Sequence, residues 1–224
     1  MRRKACAALL AAAFLALALP PAVFALSGSV VYTEGTVTLR SGGSSQDAQI
    51  GDSIGPGDTI VTGAQALAVI DLANGTTLKL REKTTLSVDS IGDATAVTLT
   101  TGGVFTSIAH KLAGTFSLKA STAIAGVRGT QFFVAYGRTI DAEPDIWLCV
   151  NQGAVQVDLP AAGRSTVVKQ GLGINIVGGE KLTTPRPYPW TRKLNWNNDP
   201  SAGKVEDRTN LEQAYADLLD QDYD

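Results

Sequence analysis

The 224-residue sequence predicts an all-β protein, and three observations carry that prediction. Short runs rich in β-branched and aromatic residues recur between residues 28 and 177. Glycine, which occurs 23 times, separates these runs and suits tight corners between strands. Asn74-Gly75 stands between two of the runs, as in a β-hairpin. The expected architecture is a set of stacked short antiparallel hairpins, or an irregular β-solenoid or sandwich-like domain, followed by an extended C-terminal strap and one short amphipathic helix.

The N-terminal 25 residues have the features of a secretory signal peptide. Arg2, Arg3 and Lys4 precede an apolar run that ends at two prolines, and Val23 and Ala25 occupy the −3 and −1 positions of a cleavage site. The apolar run is about 15 residues long, shorter than the roughly 20 that a membrane-spanning helix needs. We therefore expect cleavage after Ala25. The mature protein, residues 26–224, would be periplasmic or secreted and would have no stable membrane span.

Residues 26–178 contain the predicted strands and form the expected β domain. Several runs alternate apolar and polar residues, which is typical of strands that bury one face. Two runs, 131–136 and 146–150, are continuously apolar and should be central strands. The glycines that precede strands are unequally spaced, so no fixed-period repeat is predicted. Residues 41–49 are polar and glycine-rich, and they are predicted to form a loop or a hairpin tip.

The composition changes after residue 178. Residues 179–200 are predicted to form a strap, because three prolines between residues 184 and 190 disfavour pairing in a sheet. Trp190, Leu194 and Trp196 should fix that strap to the domain surface. Residues 201–224 are predicted to form a helix and an acidic tail, with the helix over 205–219. That helix would either pack on its own domain or dock on a partner.

Composition and motifs argue against several classes of function. The formal net charge is −2, and about −5 after the expected cleavage, so binding to nucleic acid is not predicted. The single histidine, His110, cannot build a histidine-rich zinc site, and no Gly-x-Ser-x-Gly motif supports a catalytic triad. Cys149 lies in an apolar run and is predicted to be a buried thiol. We therefore expect a protein that is not an enzyme and has no catalytic residue, metal site or cofactor.

Two segments together resemble the FecR domain family. The first contains Ile50-Gly51-Asp52, Gly57-Asp58-Thr59-Ile60-Val61-Thr62-Gly63 and Asn74-Gly75-Thr76, and the second runs from Gly102-Gly103-Val104-Phe105 to Val127-Arg128-Gly129-Thr130-Gln131-Phe132. The resemblance covers residues 51–157, with Ser121-Thr122-Ala123 where the family commonly has Thr-Pro. It singles out a set of motif residues with a structural or an interaction role: Gly57, Asp58, Gly63, Asn74, Gly75, Arg128, Gly129 and Thr130.

The resemblance implies a module that binds another protein outside the cytoplasm. The best-known family members are anti-sigma regulators, whose periplasmic domain faces an outer-membrane transporter. The expected signal peptide separates this chain from their transmembrane architecture. The predicted partner is thus a protein or another envelope component, in signalling or regulation.

Four residues have alternative interpretations. The Arg128 guanidinium should meet a carboxylate, with Asp58 or Asp71 as candidates, or backbone carbonyls at the domain edge, and would act as a structural clamp or as a ligand-binding group. Trp147, Trp190 and Trp196 are candidate stacking surfaces for a carbohydrate- or cell-wall-binding module, although packing in the core and the strap is the favoured role for each of them. Asp58, next to a glycine, is expected to bond to the backbone of its own turn.

Overall fold

The computed structural model describes residues 26–109, 114–121, 123–127, 129–139 and 144–207. The expected signal peptide, His110, Arg128 and residues 208–224 lie outside the described residues. Within them the protein is all-β, as predicted. The strands, in chain order, are β1 (Gly28–Glu34), β2 (Val37–Ser41), β3 (Ser44–Asp47), β4 (Ser53–Ile54), β5 (Thr59–Thr62), β6 (Leu67–Leu72), β7 (Thr76–Leu80), β8 (Thr85–Ser90), β9 (Ala94–Ile108), β10 (Thr115–Ala120), β11 (Ala123–Val127), β12 (Gln131–Thr139), β13 (Pro144–Gln152), β14 (Ala154–Leu159), β15 (Arg164–Lys169), β16 (Gly173–Val177) and β17 (Lys181–Leu182). Two short 3₁₀ turns are formed by Pro160–Ala162 and Pro189–Lys193.

The strands form two layers that face each other. The first layer, called here the covered sheet, has the spatial order β4-β1-β6-β7-β9-β12-β13-β16-β17. The second, called the open sheet, has the order β3-β2-β5-β8-β9-β10-β11-β14-β15. Neighbouring strands are antiparallel except for β9 and β10, which are parallel. The chain alternates between the layers, so both the solenoid-like and the sandwich-like expectations describe part of the fold.

Strand β9 belongs to both layers. Its first part pairs with β8 and β10 in the open sheet, and its second part pairs with β7 and β12 in the covered sheet. The change of layer occurs at Gly102-Gly103, where Gly102 has a φ of 92°. A glycine is required there because a side chain at this φ is strained. The two layers are therefore one continuous pairing network joined through β9.

The core lies between the layers. Alternate residues of the strands point inward and are almost fully buried, including Ile60, Leu78, Leu86, Val97 and Phe132. Each strand that reads as alternating in the sequence contributes its apolar face to this cluster. The core thus accounts for the period-two pattern.

The hairpin predicted at Asn74-Gly75 is confirmed. Strands β6 and β7 pair up to Leu72 and Thr76, which leaves a three-residue loop. The Gly75 amide donates to the Leu72 carbonyl at 2.9 Å, and Gly75 has a φ of 80°. Only the glycine of the pair adopts positive φ, as expected for a three-residue loop with a glycine at its last position.

Three expectations need correction. Residues 41–49, predicted to be a loop or a hairpin tip, contain strand β3, which pairs with β2, so the hairpin tip is confined to Gly42-Gly43. The proline-rich segment does pair once, because Arg186 has a free amide between its prolines and exchanges hydrogen bonds of 2.9 and 3.1 Å with Gly173. The predicted helix over 205–219 does not begin at residue 205, since residues 205–207 are not helical and Val205 is buried instead. The rest of that helix lies outside the described residues.

Candidate functional site

The outer face of the covered sheet is occupied by the chain's own C-terminal segment. Residues 183–207, called here the C-terminal cover, cross this face after β17. Tyr188 and Leu194 are buried against a second apolar cluster, distinct from the core between the layers. Near its end, Val205 is buried against Leu67 and Val69 of β6. The covered sheet is therefore buried on both faces along much of its width.

Aromatic rings dominate the contact between the sheet and the cover. The Phe105 and Phe133 ring centroids are 4.4 Å apart, and the Trp196 ring meets Phe105 edge-on at 5.5 Å. Tyr188 meets Trp147 edge-on at 5.6 Å. Burial on both faces explains why runs 131–136 and 146–150 are continuously apolar, and these runs lie in β12 and β13, which have paired strands on both sides.

Lys79 is a fully buried lysine beneath the cover. Its relative exposure is 0%. Its Nζ donates to the main-chain carbonyls of Asn195 at 2.5 Å and Asn197 at 2.9 Å, and lies 4.2 Å from the centre of the Phe105 ring. Burial lowers the pKa of Lys79 to about 8, and the nearby carboxylates of Asp207 and Glu206 oppose this shift. The ammonium group is thus held by peptide oxygens in an apolar setting.

Three further polar contacts attach the cover to the sheet. Arg81 donates from Nε to the Asp207 carboxylate at 2.7 Å. Gln131 donates from Nε2 to the Trp196 carbonyl at 2.8 Å. Asn198 donates to the Ser107 hydroxyl at 3.1 Å. Together with Lys79, these contacts fix the cover across β7, β9 and β12.

An open cleft lies where the end of the cover meets β6 and β7. Its volume is about 390 Å³, and its apolar lining consists of Ala66 and Leu67. Its charged lining consists of Glu34, Arg81, Glu82, Lys204, Glu206 and Asp207. Among the described residues, no three His, Cys, Asp or Glu side chains are grouped so that they could hold a metal ion.

The motif residues around the first predicted turn shape that turn. Asp58 is nearly buried, and its Oδ2 accepts a 2.8 Å hydrogen bond from the Gly55 amide. Gly57 has a φ of 91°, and its amide donates to the Val88 carbonyl at 2.7 Å. The Gly63 amide donates to the Thr36 carbonyl at 2.8 Å. Asp58 therefore bonds within its own turn, as its position beside glycine predicts.

The other motif residues make their contacts at separate hairpin ends. Asn74 donates from Nδ2 to the Thr95 hydroxyl at 2.7 Å, which ties the β6–β7 loop to the start of β9. Gly129 has a φ of 62°, and the buried Thr130 accepts from the Ile108 amide through its carbonyl at 2.9 Å. These contacts hold turns against neighbouring strands.

The predicted role of Arg128 stays a prediction, because this residue lies outside the described residues. Both of its candidate partners have other hydrogen bonds. Asp58 accepts from Gly55, and Asp71 accepts from the Thr77 hydroxyl at 2.7 Å.

The tryptophans do not offer an open stacking surface in the described part of the chain. Trp147 is only 1% exposed, so neither of its ring faces is available to a sugar. Trp196 is half-buried against Phe105, and its Nε1 donates to the Thr191 carbonyl at 3.4 Å. Trp190 lies in the turn Pro189–Lys193, and its side chain is outside the described atoms. Cys149 is fully buried, as predicted, and burial raises the pKa of its thiol.

The sequence did not point to Lys79, Arg81 or Gln131 as members of this site. Their partners lie between 65 and 127 residues further along the chain, so no local pattern marks them. The available signal was the group of aromatic and aliphatic residues in the strap, which indicates an apolar face beneath it.

Comparison with known proteins gives the fold and the family. Two crystal structures of a proposed anti-sigma factor from Parabacteroides distasonis are similar, each with a TM-score of 0.52. The first structure is 17% identical in sequence, and the match covers 60% of this chain and 62% of the chain in that structure. The second is 18% identical, and the match covers 71% of this chain and 72% of the chain in that structure. This chain thus spans less than two thirds of the first structure's length. No curated protein sequence gives a significant match. None of the helical segments in the described residues has the length and apolar character to cross a membrane.

The family assignment rests on the central part of the chain. The family model described as "FecR protein" matches residues 58–156, which run from the Asp58 turn into β14. This range falls within residues 51–157, where the sequence resembles that family. Residues 58–156 therefore match the FecR domain that the sequence resemblance predicts.

Proposed function

We propose that this protein is a non-enzymatic regulatory module that acts outside the cytoplasm and binds another protein. The FecR domain and the likeness in fold to structures described as anti-sigma factors support a role in signalling or regulation. The N-terminal signal pattern supports export.

The observation that carries the proposal is the edge of the open sheet at β15; the other edge strand, β3, consists of four polar residues. Strand β15 pairs with β14 on one side, and no other described strand pairs with it. Its outward Val167 is 46% exposed, whereas most large apolar side chains of the described chain are buried. An unpaired edge presents amide and carbonyl groups that can pair with a strand of another protein. Protein binding is therefore the function that this surface suits.

The tryptophans favour protein over carbohydrate as the partner. Sugar-binding modules present aromatic rings whose faces are open to the ligand. Here Trp147 is buried and Trp196 packs edge-on against Phe105. An exposed strand edge, together with the packing of Trp147 and Trp196 inside the protein, is the arrangement expected of a protein-binding module.

A photocrosslinking amino acid at residue 167 of the full-length protein tests this proposal in cells that produce it naturally. We expect a discrete protein adduct from the envelope fraction. Ile50 is the matched control, because it is an exposed aliphatic residue, at 66% exposure, in the turn between β3 and β4. The same probe at residue 50 should give no such adduct.

A second variant shows whether the adduct depends on strand pairing. Here the photocrosslinking amino acid is placed at Ser165. Val167→Lys then adds a charge to the strand edge and should reduce the yield of the protein adduct. Ile50→Lys, combined with the same probe, should leave that yield unchanged. Recovery of glycan alone, or equal adducts at residues 50 and 167, would contradict protein binding at this edge.

A further inference from the structure

We propose that the outer face of the covered sheet is a docking surface for an extended segment of a partner protein, and that the C-terminal cover is a tethered occupant that this segment displaces. The inference rests on the proposed protein-binding function and names a second surface for it. The partner segment would carry aromatic or aliphatic anchors followed by an acidic residue.

The sheet holds the cover largely through its main chain. Lys79 donates to the carbonyls of Asn195 and Asn197, and the Glu206 carbonyl lies 3.5 Å from the same Nζ. Gln131 also donates to a carbonyl, that of Trp196. Main-chain oxygens are present in every peptide, so these contacts do not depend on the sequence of the bound segment. A second extended segment can satisfy the same donors.

Side chains of the cover define the chemistry of that segment. Tyr188 and Trp196 place their rings against Trp147 and Phe105, and Leu194 is buried in the same cluster. Asp207 supplies the carboxylate that pairs with Arg81. The surface therefore recognises aromatic and aliphatic anchors through its apolar cluster and an acid through Arg81.

Polar groups beneath the cover are imperfectly matched. The buried amide of Asn175 and the Asn198 Oδ1 find no hydrogen-bond partner among the described residues. Lys79 carries its charge into an apolar setting, as its lowered pKa indicates. Buried polar groups without partners weaken an interface. The attachment of the cover is thus less favourable than an apolar interface of the same size, which makes displacement easier.

Displacement would leave the FecR domain in place. The cluster between the two layers contains no residue of the cover, so the main core does not require it. The family match ends at residue 156, before the cover begins at residue 183. The cover can therefore exchange as a unit.

Binding of a labelled synthetic peptide of residues 186–207 to full-length protein tests the proposal. A tethered segment competes at millimolar effective concentration, so the wild-type protein should bind the peptide weakly. The release variant L194D/W196S weakens the tethered cover and leaves the sheet intact. We expect it to bind the peptide at least tenfold more tightly than wild type, whereas a scrambled peptide of the same composition should not bind.

A variant on the sheet side identifies the surface. Adding Gln131→Ala to the release variant removes the donor to the Trp196 carbonyl, so peptide affinity should fall severalfold. Adding Val167→Lys should not change it, because Val167 lies on the open sheet. Absence of peptide binding to a release variant that still unfolds cooperatively would overturn the proposal.

Hydrogen exchange of the wild-type protein provides a test that does not depend on variant folding. The Arg186, Leu194 and Ala202 amides, each hydrogen-bonded in the structure, should exchange through one shared opening. Their protection should be at least 100-fold lower than that of the Val134 amide in β12. Equal protection would mean that the cover opens only on global unfolding, and the proposal would fail. The proposed function would stand in that case if the crosslink at residue 167 is observed.

Discussion

At the scale of single residues, Lys79 is the most unusual group in the structure. It lies on the outward face of β7, where an alternating strand of a one-sided sheet would show it to water. The cover buries it, and three peptide carbonyls with one aromatic ring replace its water shell. Docking of the cover is therefore expected to depend on the protonation state of Lys79.

The pKa of Lys79 predicts how stability depends on pH. The lysine pKa is about 10.4 in an unfolded chain and about 8 in the folded protein. Between these values the folded state has released the proton and the unfolded state still binds it, so stability rises with pH. Below pH 8 both states hold the proton, and this dependence disappears. The free energy of unfolding should increase by about 3 kcal/mol between the folded-state and the unfolded-state pKa of Lys79.

Urea unfolding at pH 7, 8, 9 and 10 measures this effect. The matched variant is Lys79→Met, which removes the titrating group and keeps a long side chain. The difference in free energy of unfolding, wild type minus variant, should increase from pH 8 to pH 10. Taking the difference removes the contribution of other titrating groups. One such group is Tyr32, whose pKa is raised by burial. A constant difference would show that Lys79 does not titrate in this range.

At the scale of elements, the passage of β9 between layers depends on one glycine. At Gly102 an added Cβ would lie 2.5 Å from the Thr84 Cα, in addition to the strain of a φ of 92°. Thr84 cannot move away easily, because its hydroxyl accepts from the Gly103 amide and its carbonyl accepts from the Thr62 amide, both at 2.9 Å. The junction of the two sheets is therefore intolerant of a side chain.

Gly102→Ala should destabilise the protein strongly. Gly43→Ala is the matched control, since Gly43 has a similar φ of 85° and no atom within 4 Å of an added Cβ. The control should lose about 1–2 kcal/mol from backbone strain, and Gly102→Ala should lose about 2–3 kcal/mol more from the clash. Denaturant midpoints measured by circular dichroism give both values. Equal losses would show that the junction relaxes around a methyl group.

The same elements show how far sequence reasoning reaches. The β6–β7 hairpin and the strands of the core were predictable, because glycine turns and apolar alternation are encoded within a few neighbouring residues. Of the three residues predicted to fix the strap, Leu194 is buried and Trp196 is half-buried, and the side chain of Trp190 lies outside the described atoms. The site beneath the strap was not predictable, because Lys79 meets carbonyls more than 100 positions away, and no local pattern encodes which face a distant segment covers.

At the scale of the whole molecule, the two sheets differ in how they meet their surroundings. The open sheet shows a hydroxyl-rich face, with Thr59 bonded to Ser87 at 2.8 Å, and a free edge at β15. The covered sheet has an aromatic face beneath the C-terminal cover. If both proposals hold, a regulatory module built this way would have one surface available at all times and a second available only on displacement of the cover. Two surfaces would allow a constitutive contact and a conditional one.

The proposed export would determine which partners this molecule can meet, and the signal pattern makes a specific prediction. Cleavage after Ala25 would leave Leu26 as the N-terminus, two residues before β1 begins at Gly28. Intact-mass measurement of protein from the envelope fraction should therefore give a chain of residues 26–224. Ala25→Asp should block cleavage, because signal peptidase requires a small residue at −1, whereas Ala22→Val lies outside the −3 and −1 positions and should be processed. If the wild-type chain is instead recovered intact, beginning at Met1 and retained in the membrane, the N-terminal segment is an anchor and is not a cleaved signal peptide. A regulator tethered in that way would meet only partners at the membrane surface.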